Sequence, residues 1–177
     1  AIDSPKAQRL RAKCLLMSSD FHTYRLWRDS SIELAQRGMA ALQELEAAGH
    51  DVRGDMALAS YCQARWQDWF DRDPLEALQG HRRSVALYEE VGDRWGLARA
   101  LSALGWIVEH LGNYERAEEL CSRSLAIRRA LGDQRGMADA MLNLGIIAWV
   151  QGHLDEADSY LRESVGIYRA LDDWNRM

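Results

Sequence analysis

Small and apolar positions recur along this chain with a period of forty residues, and that recurrence predicts its elements. Residues 92–131 (GDRWGLARALSALGWIVEHLGNYERAEELCSRSLAIRRAL) and 132–171 (GDQRGMADAMLNLGIIAWVQGHLDEADSYLRESVGIYRAL) align without a gap. Gly92/Gly132, Asp93/Asp133, Gly96/Gly136, Leu104/Leu144, Gly105/Gly145, Gly112/Gly152, Ala117/Ala157, Ser124/Ser164 and Leu131/Leu171 coincide. A period of this length belongs to stacked two-helix units, each of which can bury its apolar face only against its neighbours.

An earlier copy covers 50–91. Its HDVRG at 50–54 matches GDRWG and GDQRG, which sets Asp51 and Gly54 under Asp93 and Gly96. Its second half matches at an offset of 40, with Ala77 and Ser84 under Ala117 and Ser124. The first half therefore takes an offset of 42, with two extra residues in the inter-helix turn near Phe70-Asp71-Arg72. This register sends Cys62 and Trp66 to the core, with Trp69 beside them, where an offset of 40 would send Arg65 and Asp68. Ala35 precedes Asp51 by 16 residues, as Ala77 precedes Asp93 and Ala117 precedes Asp133. Residues 30–48 thus read as the second helix of a divergent hairpin over 5–48, its first helix spanning roughly 5–26. At the other end 172–177 (DDWNRM) restarts the pattern, with Asp173 under Asp133, so the array breaks off one turn into a fifth unit.

Local signals agree. Asp51, Asp93 and Asp133 are placed to cap first helices by accepting from free backbone N–H groups. Asp73-Pro74-Leu75-Glu76 sets an acceptor at a cap, proline at the first helical position and a carboxylate three residues on. Gly92 and Gly132 follow second helices, where a left-handed residue ends a helix. Gly105 and Gly145 sit in mid-helix at a cost of about 1 kcal/mol each relative to alanine, which another helix approaching closely would explain. Ala35, Ala77, Ala117 and Ala157 supply small residues on the facing helices.

Composition narrows the class. Nearly half of the 177 residues are apolar and only Pro5 and Pro74 are proline, which leaves room for long uninterrupted helices. A net charge of −5 speaks against a nucleic-acid surface, and no apolar run approaches the length of a membrane span. Cys14, Cys62 and Cys121 are odd in number, far apart and without a CxxC pair, so they read as free thiols in helix interiors and point to the cytoplasm. The chain opens Ala1-Ile2-Asp3, with neither a starting methionine nor a signal-like segment, and reads as part of something larger.

With Gly105 and Gly145 in first helices, and Ala77, Ala117, Ala157, Ser84, Ser124 and Ser164 in second helices, the pattern resembles the tetratricopeptide repeat family. The resemblance covers 50–171 best and departs in two ways: Gln63 stands where the first clear unit should have its glycine, and no proline closes a unit. It implies an all-α, right-handed superhelix of helical hairpins over the whole chain, with no cofactor and no catalysis. Forty-residue units opening GD-x-x-G-x-A resemble the repeat arms of bacterial signal-transducing ATPases and MalT-like or AfsR-like activators. They also resemble eukaryotic scaffolds of the Pins and kinesin-light-chain type. The arginine-rich, lysine-poor composition favours the bacterial arm, an interaction or sensor module of a signalling or transcriptional regulator. A constitutive peptide-binding scaffold and an accessory domain of a cyclase or kinase are the alternatives.

Nothing in the chain spells out chemistry. There is no P-loop, GxGxxG, HExxH, GxSxG or DxDxDG string, and the histidines His22, His50, His81, His110 and His153 show no i,i+4 pairing among themselves. His81 reads as a partly buried, hydrogen-bonded structural histidine and Cys121 as a core residue. The acidic runs Glu115–Glu119 and Asp155–Asp158 read as solvated outer faces.

The resemblance implies that first helices line a concave groove. The implied strip is Arg99, Ser102, Trp106, Glu109 and His110 in one unit and Asp139, Leu142, Ile146, Trp149 and Val150 in the next. In the 50–91 unit it is Ala57, Ser60, Ala64, Gln67 and Asp68. Trp106 and Trp149 carry the interest: they either meet a partner as an exposed apolar patch or fill gaps between adjacent first helices. No basic cradle for acidic peptide termini appears beside Arg99, Glu109, Asp68 and Asp139. The groove therefore suits a peptide, a helix, or another domain of the same protein. Self-association through the C-terminal end is a further expectation, since a terminal unit without a polar cap leaves the face of 154–171 uncovered.

Overall fold

A computed structural model describes residues 4–24, 28–68 and 74–174, without the side chains of 19–24, 28–29, 31 and 172–174. Among the described residues there are eight α-helices and no strand. They are α1 (Pro5–Tyr24), α2 (Arg28–Ala47), α3 (Arg53–Trp66), α4 (Pro74–Val91), α5 (Arg94–His110), α6 (Tyr114–Leu131), α7 (Gln134–Gln151) and α8 (Leu154–Trp174). The chain divides into two compact units, Ala1–Gly96 and Leu97–Met177. In the first, α1 packs on α2 and α3 on α4, with α3 also against α1 and α2. In the second, α7 packs on α8 and on α6.

Five of the helices, α2 and α4 to α7, stop where the backbone turns left-handed. Gly92 and Gly132 have φ of 70° and 69°, as their place after second helices requires, and Gly49, Gly112 and Gly152 each have φ of 83°. Asp172 stands where Gly132 and Gly92 do one and two units earlier, and α8 runs on to Trp174. Without a residue at 172 that adopts positive φ cheaply, the helix continues through Asp173. Residues 175–177, the predicted cap at Asp73 and the turn at 70–72 lie outside the described residues.

Within a hairpin the two helices meet at a small residue, and a serine sets their register. A Cβ on Gly105 would lie 2.6 Å from Cys121 Sγ and 3.3 Å from the Ala117 carbonyl oxygen. One on Gly145 would lie 2.8 Å from Leu161 Cγ and 3.4 Å from the Ala157 oxygen, so both mid-helix glycines do permit close approach. Beside each contact a fully buried serine of the second helix donates to an alanine carbonyl of the first. Ser84 reaches Ala57 at 2.9 Å, Ser124 reaches Ala98 at 2.7 Å and Ser164 reaches Ala138 at 2.8 Å. The serines are 40 and 40 apart, but the alanines are 41 and 40 apart.

That spacing corrects the register of the first clear unit from 42 to 41. One extra residue, not two, is thus present in that unit between Ala57 and Ser84. Helix starts agree, since Arg53, Arg94 and Gln134 are also 41 and 40 apart. The cap of α3 is Val52, which offers no side-chain hydrogen bond. Asp51 instead accepts from the Arg53 backbone N–H at 3.2 Å and from its guanidinium at 3.0 and 2.8 Å. This exposed pair holds the Asp51 carboxyl at about 2, with the Arg53 hydrogen bonds as the main cause. Asp93 and Asp133 cap as expected, accepting from the Gly96 and Gly136 N–H respectively, each at 2.9 Å. The small residue opposite the second helix is then Ala64, whose Cβ would lie 2.8 Å from one built on Gly80, while Gln63 is exposed.

The GD-x-x-G string has a second cause visible in the packing. Arg128, 7% exposed, donates from Nε to Ser124 Oγ at 3.1 Å and from Nη1 to Asp133 Oδ2 at 3.2 Å. A Cβ on Gly136 would sit 1.7 Å from that Nη1, and one on Gly96 would sit 2.3 Å from the Tyr88 ring. The glycine leaves room for the long side chain eight residues before it. In the 50–91 unit this position is Asp55, itself 1% exposed, whose carboxylate pairs with Arg9 Nε and, at 2.9 Å, with Lys13 Nζ from α1.

Cys62 and Cys121 are buried as expected, Cys14 is exposed, and Trp66 is half-buried; Trp69 lies outside the described residues. His81 is 1% exposed, edge-on to the Tyr61 ring with centroids 5.8 Å apart. Its Nδ1 has no hydrogen-bond partner among the described residues, so it is more buried and less satisfied than expected. Burial, with the Arg65 charge adding to it, pushes its pKa down to about 3.

Two outcomes follow. Gly105→Ala crowds Cys121 and should destabilise the chain by about 1–3 kcal/mol in urea unfolding. Gly166→Ala, with nothing within 4 Å of the new Cβ, should stabilise it by up to about 1 kcal/mol; equal effects at the two sites would refute the close approach. For His81 the unfolded chain binds a proton near pH 6.5 that the folded chain refuses until about 3. Stability contributed by neutral His81 is thus complete above pH 6.5 and is lost as pH falls toward 3. Between these limits the slope of stability against pH should be shallower in His81→Gln by up to about 1.4 kcal/mol per pH unit. Parallel curves for the two proteins would exclude a buried neutral imidazole.

Candidate functional site

The predicted strip splits into accessible and inaccessible residues, and the corrected register explains most of the split. Ala57, Ser60, Ala64 and Gln67 are 0%, 4%, 0% and 2% exposed. At an offset of 41 the residues matching Arg99, Ser102, Trp106 and Glu109 are instead Leu58, Tyr61, Arg65 and Asp68. Gln67 falls under Val108, a core position. Gln67 is therefore buried, whereas Asp68 and Arg65 are half-buried, the Arg65 guanidinium carbon lying 5.9 Å from the Tyr61 ring centroid. The spacing of alanine and serine in the three units, 27 residues against 26 and 26, is the sequence signal that would have found Arg65.

Ser102 is inaccessible for a different reason. Ser124 Oγ gives its proton to the Ala98 carbonyl and accepts from Arg128 Nε. The remaining bond, Ser102 Oγ to Ser124 Oγ at 2.8 Å, must then be donated by Ser102. With 8% of its surface exposed, Ser102 belongs to this buried network and not to a binding surface.

On α5 the accessible group is Trp106 and His110, with Glu109 and Arg99 partly buried along the same helix. Trp106 is 37% exposed and its ring tilts against that of His110, centroids 4.1 Å apart. His110 Nδ1 lies 2.9 Å from the Trp106 carbonyl oxygen and 2.7 Å from Glu109 Oε2. Both neighbours are acceptors only, so Nδ1 carries a proton and the imidazole edge with Nε2 is the one left for other contacts. Their four-residue spacing on one helix is what lets the two rings meet. The result is an exposed aromatic pair with its histidine held in one orientation.

On α7 the strip is Asp139, Leu142, Ile146, Trp149 and Val150. Leu142, Trp149 and Val150 are 39%, 64% and 42% exposed, and Ile146 is half-buried. The Tyr168 hydroxyl of α8 donates to Asp139 Oδ1. Burial, and then this bond to a carboxylate, pushes the Tyr168 phenol up to about 12.

The remaining candidates carry no chemistry. Burial pushes the Cys121 thiol up to about 12, which keeps it protonated in its packing role. Glu115, Glu118, Glu119, Asp155, Glu156 and Asp158 are exposed, as the solvated-face reading requires. Among the described residues no His, Cys, Asp and Glu side chains cluster so as to hold a metal ion, and no helix is long and apolar enough to cross a membrane.

Comparison with known proteins bears on fold and family. No curated protein matches the chain in sequence. The crystal structure of MamA is similar over 92% of this chain and 81% of its own, with a TM-score of 0.61 and 18% identity. The crystal structure of BtubC (BKLC) from P. vanneervenii is similar over 94% of this chain and 74% of its own, with a TM-score of 0.59 and 16% identity. Residues 107–170 match the tetratricopeptide repeat family, and the chain has the fold of tetratricopeptide-like arrays of helical hairpins.

Proposed function

We propose that this chain is a non-enzymatic protein-binding module whose contact surface is a first-helix strip centred on Trp106 and His110. The exposed, oriented aromatic pair of α5 carries the reading. A partly exposed tryptophan braced by a neighbouring ring offers a large rigid contact at little entropic cost, the kind of residue that dominates binding energy. Glu109 and Arg99 beside it give the strip both charge signs, which suits a peptide or helix of mixed character, or another domain of the same protein. The forty-residue units further support an interaction or sensor arm of a larger bacterial signalling or transcriptional regulator. In that role, occupancy of the strip would bias the geometry of neighbouring hairpins. Self-association would use a different surface, at the C-terminal hairpin.

Selection of a phage-displayed random peptide library on the purified chain, followed by calorimetry with the best peptide, tests the strip. Trp106→Ala should weaken that peptide by about 30-fold or more, the equivalent of a ~2 kcal/mol hot spot. His110→Ala should weaken it less, and Glu118→Ala on the outer face should not change it. A peptide that binds Trp106→Ala and the parent chain alike would move the site elsewhere.

A further inference from the structure

The aromatic pair of α5 and the carboxylate beside it offer a partner groups of one character. The Nδ1 proton of His110 is used on the Trp106 carbonyl and on Glu109, so the outer edge of the neutral ring presents Nε2 as an acceptor. Glu109 adds a partly buried carboxylate next to that edge. Trp106 adds the electron-rich face of an indole, with a lone N–H donor at its rim. The carboxylate acts as a charge here: after burial, Glu109 is the next cause that holds the Cys121 thiol of α6 up at about 12. Cations of the same unit are engaged elsewhere, Arg128 with Ser124 and Asp133, Arg116 with Glu119 and Arg162 with Asp158. Arg99 stands seven residues before Trp106, about 10 Å along the helix.

Side chains of different chemistry would fare differently on this group. A carboxylate would face both Glu109 and the Nε2 lone pair, and each repels it. An aliphatic chain would cover the indole but strip water from Nε2 and Glu109 without replacing it. A neutral amide would donate to Nε2 and leave the carboxylate uncompensated. An ammonium answers the charge, yet it is a compact, strongly hydrated point with no flat face. A guanidinium is planar and weakly hydrated, stacks on an indole, and keeps its donors in its own plane for acceptors at the rim. It alone matches the ring face, the acceptor and the charge together.

We infer that the strip takes an arginine side chain of its partner, laid on the Trp106 indole with its N–H edge toward His110 Nε2 and Glu109; this rests on the strip being a protein-binding surface and adds the residue type it selects. The subsite belongs to one unit. Forty residues later the three places hold Ile146, Trp149 and Val150, which carry neither a charge nor an acceptor. In the 50–91 unit the place of Trp106 is taken by Arg65, which would repel a second guanidinium. One arginine at one point along the array is therefore the anchor.

Peptides selected from a phage-displayed random library on the intact chain, at about pH 8 where imidazoles are neutral, test this by calorimetry. Those whose binding depends on Trp106 should share an arginine. Replacing it by citrulline, which keeps the shape and loses the charge, should weaken binding about tenfold, and replacing it by lysine should weaken it less. With Trp106→Leu the arginine and citrulline peptides should bind within about twofold of each other. Glu109→Gln, which keeps an oxygen for Nδ1, should also narrow the gap. Should Trp106→Leu lose its helical circular dichroism, Glu109→Gln carries the comparison. Trp106-dependent peptides without arginine, a citrulline peptide as tight as its parent, or a gap unchanged in these variants would overturn the arginine subsite and leave the strip standing. A library with no Trp106-dependent binder overturns both.

Discussion

The contact on which this fold depends is the buried hydrogen bond from a serine hydroxyl to an alanine carbonyl across each of the last three hairpins. A hydroxyl with no water around it must find its partner inside the protein, and a helical carbonyl can accept a second bond only if the two helices come close. Closeness is what the small residues allow: a Cβ at Gly80, Gly105 or Gly145 would collide with Ala64, Cys121 or Leu161 of the facing helix. The bond and the gap specify each other. Serine without the gap would be buried unsatisfied, and the gap without serine would let the helices slide.

This mutual requirement is also why the repeats can be read in the sequence at all. Leucines and isoleucines exchange freely in a core, so their positions blur between copies. Glycine, alanine and serine at a close crossing do not exchange freely. They gave the forty-residue period and the hairpin pairs. The helix ends were legible for the same reason, since Gly92 and Gly132 need positive φ and Asp93 and Asp133 cap.

Where the reading went astray, a different interaction had replaced the usual one. Matching Gly54 to Gly96 assumed that the glycine marks the same place in every unit. The glycine exists to make room for Tyr88 or Arg128. In the 50–91 unit the same place holds Asp55, whose carboxylate is neutralised by Arg9 and Lys13 of α1. A buried carboxylate with two cationic partners from another helix cannot be recognised by likeness to glycine, because the pairing residues lie more than forty positions away. The one-residue slip it caused was enough to turn the strip inward, since consecutive helical positions differ by about 100°.

The tryptophans show a limit of another kind. Trp106 and Trp149 both occupy first helices, yet they stand one turn apart in the repeat and answer to different neighbours. Trp106 keeps its exposure beside a covered Ser102 and a mostly covered Glu109, so its hairpin is packed and the ring is still outside. Trp149 stands at the place of Glu109, and at 64% exposure it is far more open than Glu109, whose side chain is 14% exposed. Exposure in a repeat array therefore has two sources, a surface the stack never uses and a surface the stack has not yet used. Comparing each residue with its counterpart one unit earlier separates them, because the counterpart reports what the array does with that place when a neighbour is present.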